Sequence, residues 1–509
     1  MSLRQSMSGL HTWGGLLPSW LLFVIFFAGS LACFDKELER WMRPALHQPG
    51  VTSLTADQVR DWLHERAPNA HAWWMRPPSE REPFWWAGWE PEEGAEFQRF
   101  ALDAATGEVL TDTVGGMFFF TLHYELHAGM PGMYIVAIAA MAMLIALVSG
   151  VIIHRRIFKD FFTLRPAANG QRAWLDAHNL FGVLGLPFHL LIAYTGLVIF
   201  VVFYMPAGLK VAYQDDFGAL FRESTGYFER GEVGRPAGPP TSLDTLLADA
   251  RQRWGGGEPG WISVHYPYDE AAVVDLRNWV SSRVTDFQWT LSYDASSGEL
   301  LHEQKPYGAG YQAQSWLTGL HMAQFGGTPV RLLYLLLGLA GCAMLVGGLR
   351  VWLAKREARG GYGIVLVRAL NGAVIGGLPL ASLALLWGNR LLPAGLAERS
   401  RAEAMVFVGA WLLVALWAVL RQGSGRLGRD LYGVGAVLAL GLPLLNALTS
   451  SQGHLGATLA RGDWALAGID LSLLGVGLFC ALLGWRHRQP GEVRQASRRE
   501  SRRLAEEGA

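Results

Sequence analysis

The chain has 509 residues, with 43 basic and 43 acidic side chains, and is 51% apolar but only 17% charged. A mean hydropathy of +0.20 argues against a soluble enzyme and points to a polytopic membrane protein. The formal net charge is zero, and no nucleic-acid partner is expected.

A spanning helix needs about 20 mostly apolar residues. Eight stretches qualify: 13–34, 130–153, 178–204, 330–353, 367–389, 404–420, 430–449 and 464–485. The first ends in GSLACF, which looks like a lipoprotein cleavage site. Ser30 is a poor residue three places before Cys33, and the apolar run is of full spanning length, so the segment is read as a retained helix.

The predicted organisation is a mainly α polytopic membrane protein of about eight transmembrane helices with two small α+β outside domains. In chain order it has a first helix (1–34), an outside domain (35–122), helices two and three with a basic loop (123–204), a second outside domain (205–320), a fourth helix (321–355), four further helices (356–488) and a basic tail (489–509).

Basic residues gather on alternate sides of the predicted spans. One loop carries Arg155, Arg156, Lys159, Arg165 and Arg172, the next Lys355, Arg356 and Arg359, and the third Arg421, Arg426 and Arg429. The tail carries Arg486, Arg488, Arg494, Arg498, Arg499, Arg502 and Arg503. By the positive-inside rule these segments are cytoplasmic, together with both termini, and the long loops 35–122 and 205–320 are outside.

Residues 1–355 contain a repeat. HTWGGLLPSW and HNLFGVLGLP match at an offset of 167, pairing His11 with His178 and Gly29 with Gly196. LDAATGEVL matches YDASSGELL at an offset of 191. LHYELHAGMP matches LHMAQFGGTP at an offset of 198, pairing His123 with His321 and Gly150 with Gly348. The unit is helix, outside domain, helix, used twice. Each outside domain carries a D-A-x-[ST]-G-E turn after a strand-like run, and a candidate helix with a Ser or Thr start (SLTADQVRDWLHERA; SLDTLLADARQRW).

Of 14 histidines, His11, His123, His127, His154, His178, His189, His321 and His454 lie at or within predicted helices. Ionisable groups there are rare and carry a functional prior. His154, beside two arginines, and His454, without a repeat mate, read as interfacial residues. A zinc protease is excluded, because the spacing is H-x-E-x-H and Glu125 faces away from its neighbours on a helix. A proton relay lacks the buried acidic chain it needs; Asp470 is the clearest carboxylate in an apolar span. Axial ligation of b-type haem needs imidazoles on facing helices and an apolar slot. The repeated histidines meet that need. His178 and His189, 11 residues apart, fall on one face of a continuous helix. His123 and His127 lie one turn apart, so only one of them can hold a given iron; which one is left open. No CxxCH is present, and Cys33, Cys342 and Cys480 make neither a disulfide framework nor a CxxC.

HTWGGL…FAGS, the DAATGE turn, LHYELHAG, LDAHNLFGVLGLPFHLLIAYTGL and LHMAQFGGTPVRLLYLLLG together resemble the PepSY-associated transmembrane family over residues 1–355. The length and extra C-terminal helices look most like the ferripyoverdine reductase branch of its iron-regulated inner-membrane proteins. The resemblance implies two periplasmic PepSY domains. It implies haem b, two per chain, with iron ligands among His11, His123, His127, His178, His189 and His321. It implies reduction of Fe(III)-siderophore in the bacterial periplasm, the electrons coming from the cytoplasmic side.

No flavin or nicotinamide fingerprint is present, so the expected donor is a quinol or a separate flavoprotein. Other expected partners are inner-membrane lipid and periplasmic or membrane proteins. The tryptophans Trp73, Trp74, Trp85, Trp86 and Trp89 could contact a siderophore, rest on the membrane surface or pack a core. The rival readings are a non-enzymatic scaffold or protease-inhibiting module, and a haem protein with another acceptor.

Overall fold

The structure is a computed structural model, which describes residues 2–47, 50, 52–154, 163–165, 170–238, 240–278, 283–421, 423 and 425–487. Arg155, Arg156, Lys159 and the arginines from Arg488 onward lie outside the described residues. The chain divides into two compact units. One comprises 1–47, 112–186 and 338–509; the other comprises 48–111 and 187–337.

The first unit is helical. Helix α1 (Leu3–Ala32) starts in a capping box between Ser2 and Gln5. A short helix, α2 (Asp35–Trp41), follows. In the second unit α3 (Ala56–Arg66) precedes the first three strands. Back in the first unit come α4 (Met117–Glu125), α5 (Gly129–Ile153) and α6 (Gly170–Leu184). Helix α7 (Leu186–Ile199) is bent by 65° from α6, so the expected third span is a broken one. Among the described residues seven helices are long and apolar enough to cross a membrane, or eight with the bent pair.

The second unit holds a seven-stranded antiparallel sheet in the order β3-β2-β1-β4-β5-β6-β7. Its strands are β1 (Ala72–Arg76), β2 (Phe84–Glu90), β3 (Gln98–Asp103), β4 (Pro259–His265), β5 (Val273–Asn278), β6 (Trp289–Asp294) and β7 (Leu300–Glu303). The two expected α+β domains therefore share one sheet. Strand β1 of the first pairs with β4 of the second, Trp73 opposite Val264 and Met75 opposite Ile262. Each edge satisfies the other's backbone, which removes two exposed sheet edges.

Alternation of period two sends Trp73, Met75, Trp85, Ile262, Val264, Leu276, Leu291 and Tyr293 to one buried face. That face is covered by Val59 and Leu63 of α3 and by Leu246, Leu247 and Ala250 of α8 (Leu243–Arg253). Trp89 stacks on Phe100 at 5.1 Å beside Trp62. Core packing thus accounts for Trp73, Trp85 and Trp89. On the opposite face Trp74 stacks on Trp261, and the Arg99 guanidinium lies 5.8 Å from both Trp74 and Trp86.

The two DA-x-[ST]-GE turns have the same construction. Asp103 accepts from the amides of Ala105 and Thr106, and Asp294 from those of Ser296 and Ser297. Gly107 and Gly298 take φ of +74° and +75°, where a side chain is strained.

The remaining helices are α9 (Ala309–Met322), α10 (Gly327–Arg356), α11 (Tyr362–Leu370), α12 (Gly377–Leu391), α13 (Arg399–Arg421), α14 (Leu427–Thr449) and α15 (Trp464–Arg486). A π-helical turn, Asn371–Gly376, joins α11 to α12. The last four long spans, which stand outside the repeat, are tied to the chain after α1 by buried polar contacts. Arg40 holds Asp463 with two hydrogen bonds (3.1 and 2.6 Å), and Trp41 Nε1 donates to Asp470 at 3.0 Å. Glu403, fully buried, accepts from Asn389, Arg399 and Thr113. The His47 imidazole donates to Trp41 O at 3.0 Å and accepts from the Ser450 hydroxyl. Burial, reinforced by the nearby Arg390 charge, lowers its pKa to about 4. His47 is therefore a neutral structural group at pH 7.

The starts of α3 and α8 cap each other. Asp57 accepts from Ser242 Oγ (2.5 Å) and Leu243 N (2.7 Å), while Asp244 accepts from Ala56 N (3.1 Å) and Asp57 N (3.3 Å). Burial pushes the Asp57 pKa up, but the Ser242 and Leu243 hydrogen bonds and the Arg60 charge outweigh it and hold it below the usual range. Its stabilisation is thus present above about pH 4 and is lost as the pH falls through the lowered folded value. Asp57→Ala should cost about 1–2 kcal/mol. It should speed hydrogen exchange at 56–66 and 243–253 at pH 7, with the difference from the native chain vanishing in acid.

Candidate functional site

Four histidines share one local construction. His11 on α1 donates from Nδ1 to Ala146 O of α5 at 2.9 Å, with Ser149 Oγ 3.3 Å away. His178 on α6 donates from Nδ1 to Met344 O of α10 at 2.8 Å. His123 at the end of α4 donates from Nδ1 to Ile25 O of α1 at 2.8 Å. In the second unit, His321 of α9 donates from Nδ1 to the Thr195 hydroxyl of α7 at 2.9 Å, and that hydroxyl donates to Leu191 O.

A carbonyl only accepts, so the first three bonds fix the proton on Nδ1 and leave Nε2 as the lone-pair nitrogen. This is the tautomer that an Nε2 metal ligand requires, and the bond to the other ring nitrogen raises its basicity.

Each ring also lies against a glycine of the neighbouring helix. A Cβ on Gly150 would meet His11 Cε1 at 3.2 Å, and one on Gly348 would meet His178 at 3.2 Å. A Cβ on Gly29 would meet His123 Nδ1 at 2.6 Å, and one on Gly196 would meet His321 Cε1 at 3.0 Å. These four glycines are the repeat mates Gly29/Gly196 and Gly150/Gly348. Sequence comparison paired them without attaching them to the histidines. The signal was present, since histidine and glycine recur together at the same offsets.

Within the first unit the structure brings His11 and His178 together. Their ring centroids are 6.0 Å apart, with an interplanar angle of 69°. Two imidazoles held by one iron from opposite sides, each nitrogen about 2 Å from it, stand about this far apart. The separation of the two rings is thus of the size that one iron between them would need. Among the described residues no group of three or more His, Cys, Asp or Glu is placed to hold a metal ion.

The other two candidates are built differently. His127 does not continue the helix of His123. Leu126 and His127 take φ of +56° and +52°, which ends α4 before α5 begins. The expected one-turn spacing on a single helix is therefore absent. The His127 Nε2 donates to Phe118 O at 2.9 Å, and its ring lies 4.5 Å from Phe118. His189 is fully buried, with Nε2 donating to Leu337 O at 3.2 Å. It sits on α7, beyond the bend, and not on the helix of His178 as the even spacing suggested.

Of the remaining sequence candidates, Asp470 is occupied by Trp41 and Asn446. His454 caps a short helix by accepting from Ala457 N. Arg165 and Arg172 both contact Asp176.

Residues 8–355 match the family described as the PepSY-associated TM region. The chain belongs to this family. An uncharacterised protein of Pseudomonas aeruginosa is 28% identical over 384 residues, covering 72% of this chain and 93% of that one. All six candidate histidines lie in the part that matches the PepSY-associated family, and α12 to α15 lie beyond it.

The glycine contacts can be tested directly. Alanine gains about 0.5–1 kcal/mol of helix preference over glycine, while overpacking costs about 1–3 kcal/mol. At Gly29 the second effect should win. Gly29→Ala should lower the melting temperature of the detergent-solubilised chain, whereas Gly15→Ala, with nothing within 4 Å, should not.

Proposed function

We propose that this membrane protein carries electrons through b-type haems held by its helix histidines and reduces siderophore-bound Fe(III) to Fe(II). The observation that carries this reading is the His11–His178 pair, 6.0 Å apart, with each Nδ1 committed to a main-chain carbonyl. His123 and His321, each in its own unit, repeat the histidine–glycine arrangement, and each is a further candidate haem ligand within its own unit.

Bound haem supplies a one-electron Fe(III)/Fe(II) couple. The chain's residues do the rest. The carbonyls of Ala146 and Met344 orient the two imidazoles and hold the proton on Nδ1. Gly150 and Gly348 make room for the rings at the helix crossings. Apolar helices around them limit water, which sets the reduction potential through burial.

The acceptor follows from ligand chemistry. Hard catecholate or hydroxamate oxygens hold Fe(III) far better than Fe(II), so one electron releases the metal. The basic loops favour an inner-membrane setting with both termini in the cytoplasm and the sheet unit in the periplasm. The chain has no nucleotide fingerprint, so the donor is a quinol or a separate flavoprotein.

The purified chain should be red, with a Soret band that shifts on dithionite reduction. His11→Ala and His178→Ala should each remove the same bis-imidazole haem, and the double variant should remove no more. Reoxidation of the reduced protein by a ferric siderophore should deliver Fe(II) to a ferrous chelator. A folded, colourless protein, or reoxidation that releases no Fe(II), would overturn the reading.

A further inference from the structure

The end of the helical unit that carries His11 holds a second feature. Trp13 and Trp20 are two turns apart on α1 and share one face, about 10 Å from each other; His11 lies about 200° round the helix from Trp13. One helix thus presents the imidazole on one side and two indoles on the other.

Trp13 meets Trp352 of α10 edge-on, with ring centroids 6.2 Å apart. The Arg356 guanidinium lies 4.6 Å from the Trp352 ring and 5.7 Å from that of Trp13. Trp20 and Trp352 both pack against Leu353, Ile364 and Val367. Trp20 Nε1 donates to Asn371 Oδ1 at 2.9 Å. Asn371 is the first residue of the π-helical turn, a departure from α-helix that is frequent at functional sites.

Two donors here have no acceptor among the described residues: Asn371 Nδ2, on a side chain only 6% exposed, and Trp352 Nε1. A buried N–H without a partner is costly, so both call for something that accepts. Trp13 is 55% exposed on a helix long and apolar enough to cross a membrane, so the cluster reaches the surface of the helical unit.

We propose that Trp13, Trp20, Trp352 and Asn371 form a docking site for the ring of a membrane quinol and its oxidised quinone. This rests on the electron-transfer reading above and names the class of its donor. Three properties of the notch match that ligand. Indole walls suit a planar ring. Two N–H donors with no free carboxylate suit neutral carbonyl oxygens. An exposed indole on an apolar membrane-length helix suits an apolar tail.

A phosphate head group matches the donors and the Arg356 charge but not the indoles, and a soluble flavin only the indoles and donors. In the redox step the quinol loses two electrons and two protons and becomes the quinone. The electrons leave singly toward the His11–His178 pair, and the protons pass to water at that end of the bundle. One quinol thereby balances the reduction of two ferric ions. The donors bind quinone carbonyls better than quinol hydroxyls, which favours the oxidised ring, the direction the transfer needs.

The test uses the full-length chain in detergent with decylubiquinone as the probe, titrated calorimetrically, and an azidoquinone for photolabelling. Trp352→Phe keeps the ring and loses the N–H. Asn371→Asp keeps an acceptor for Trp20 and loses the donor. Each should weaken binding about tenfold, as expected for one buried hydrogen bond. The label should fall on peptides containing Trp13, Trp20 or Trp352. Unchanged affinity in both variants, label elsewhere, or label displaced by phospholipid but not by quinone would overturn the proposal.

Binding is read without haem turnover, so the two readings fail separately. A colourless protein that binds quinone in the notch sinks only the electron-transfer reading. A red protein that does not bind it there sinks only this one.

Discussion

A neutral imidazole buried between apolar helices must place its N–H on an acceptor, and the acceptors within reach are helix carbonyls. Reaching one requires the neighbouring backbone to come close, and glycine leaves room for that approach. The contacts of His11 with Gly150 and of His178 with Gly348 meet this demand in the first unit. His321 meets it in the second with Gly196 and the Thr195 hydroxyl. The hydrogen bond, the tautomer, the ring orientation and the helix spacing are one constraint seen from four sides. A haem ligand needs all four, since orientation and basicity come from the group on the far ring nitrogen.

The C-terminal helices bear on this arrangement through α1. Arg40, Trp41 and His47, just beyond that helix, enter a buried polar set with Asp463, Asp470 and Ser450. Midway along α1, Trp20 is bonded to Asn371 of the π-helical turn. Segments outside the repeated part thus hold the histidine helix at its middle and the chain just beyond its end. Buried charges such as Glu403 and Arg399 are tolerable only because each finds several partners. A network of that kind defines a position more strictly than apolar contact does.

The sheet unit shows a different economy. Two repeats that each contribute a half-sheet join at their β1 and β4 edges, and their helices cap one another through Asp57 and Asp244. The pairing hides edges that would otherwise invite other chains. The same pseudo-symmetry places Asp103 and Asp294 in identical turns.

Much of this was legible in the residues. Spans of about 20 apolar residues need no tertiary information, because lipid leaves a helix no other way to satisfy its backbone. The repeat, the turns and the helix starts at Thr55 and Ser242 were legible because each depends on contacts within a few residues. The importance of His11, His123, His178 and His321 was legible because they recur at the offsets of the repeat.

What the sequence left open was everything that depends on a neighbour far along the chain. It did not reveal that α4 stops at Leu126, which separates His123 from His127, or that the chain bends between His178 and His189. Nor did it show which ring nitrogen carries the proton, which sheet edges meet, or that Asn371 lies beside Trp20. Local preference sets helix, turn and span; only packing decides which carbonyl His11, His123 or His178 finds and which edge β1 pairs with, because those partners lie about a hundred or more residues away.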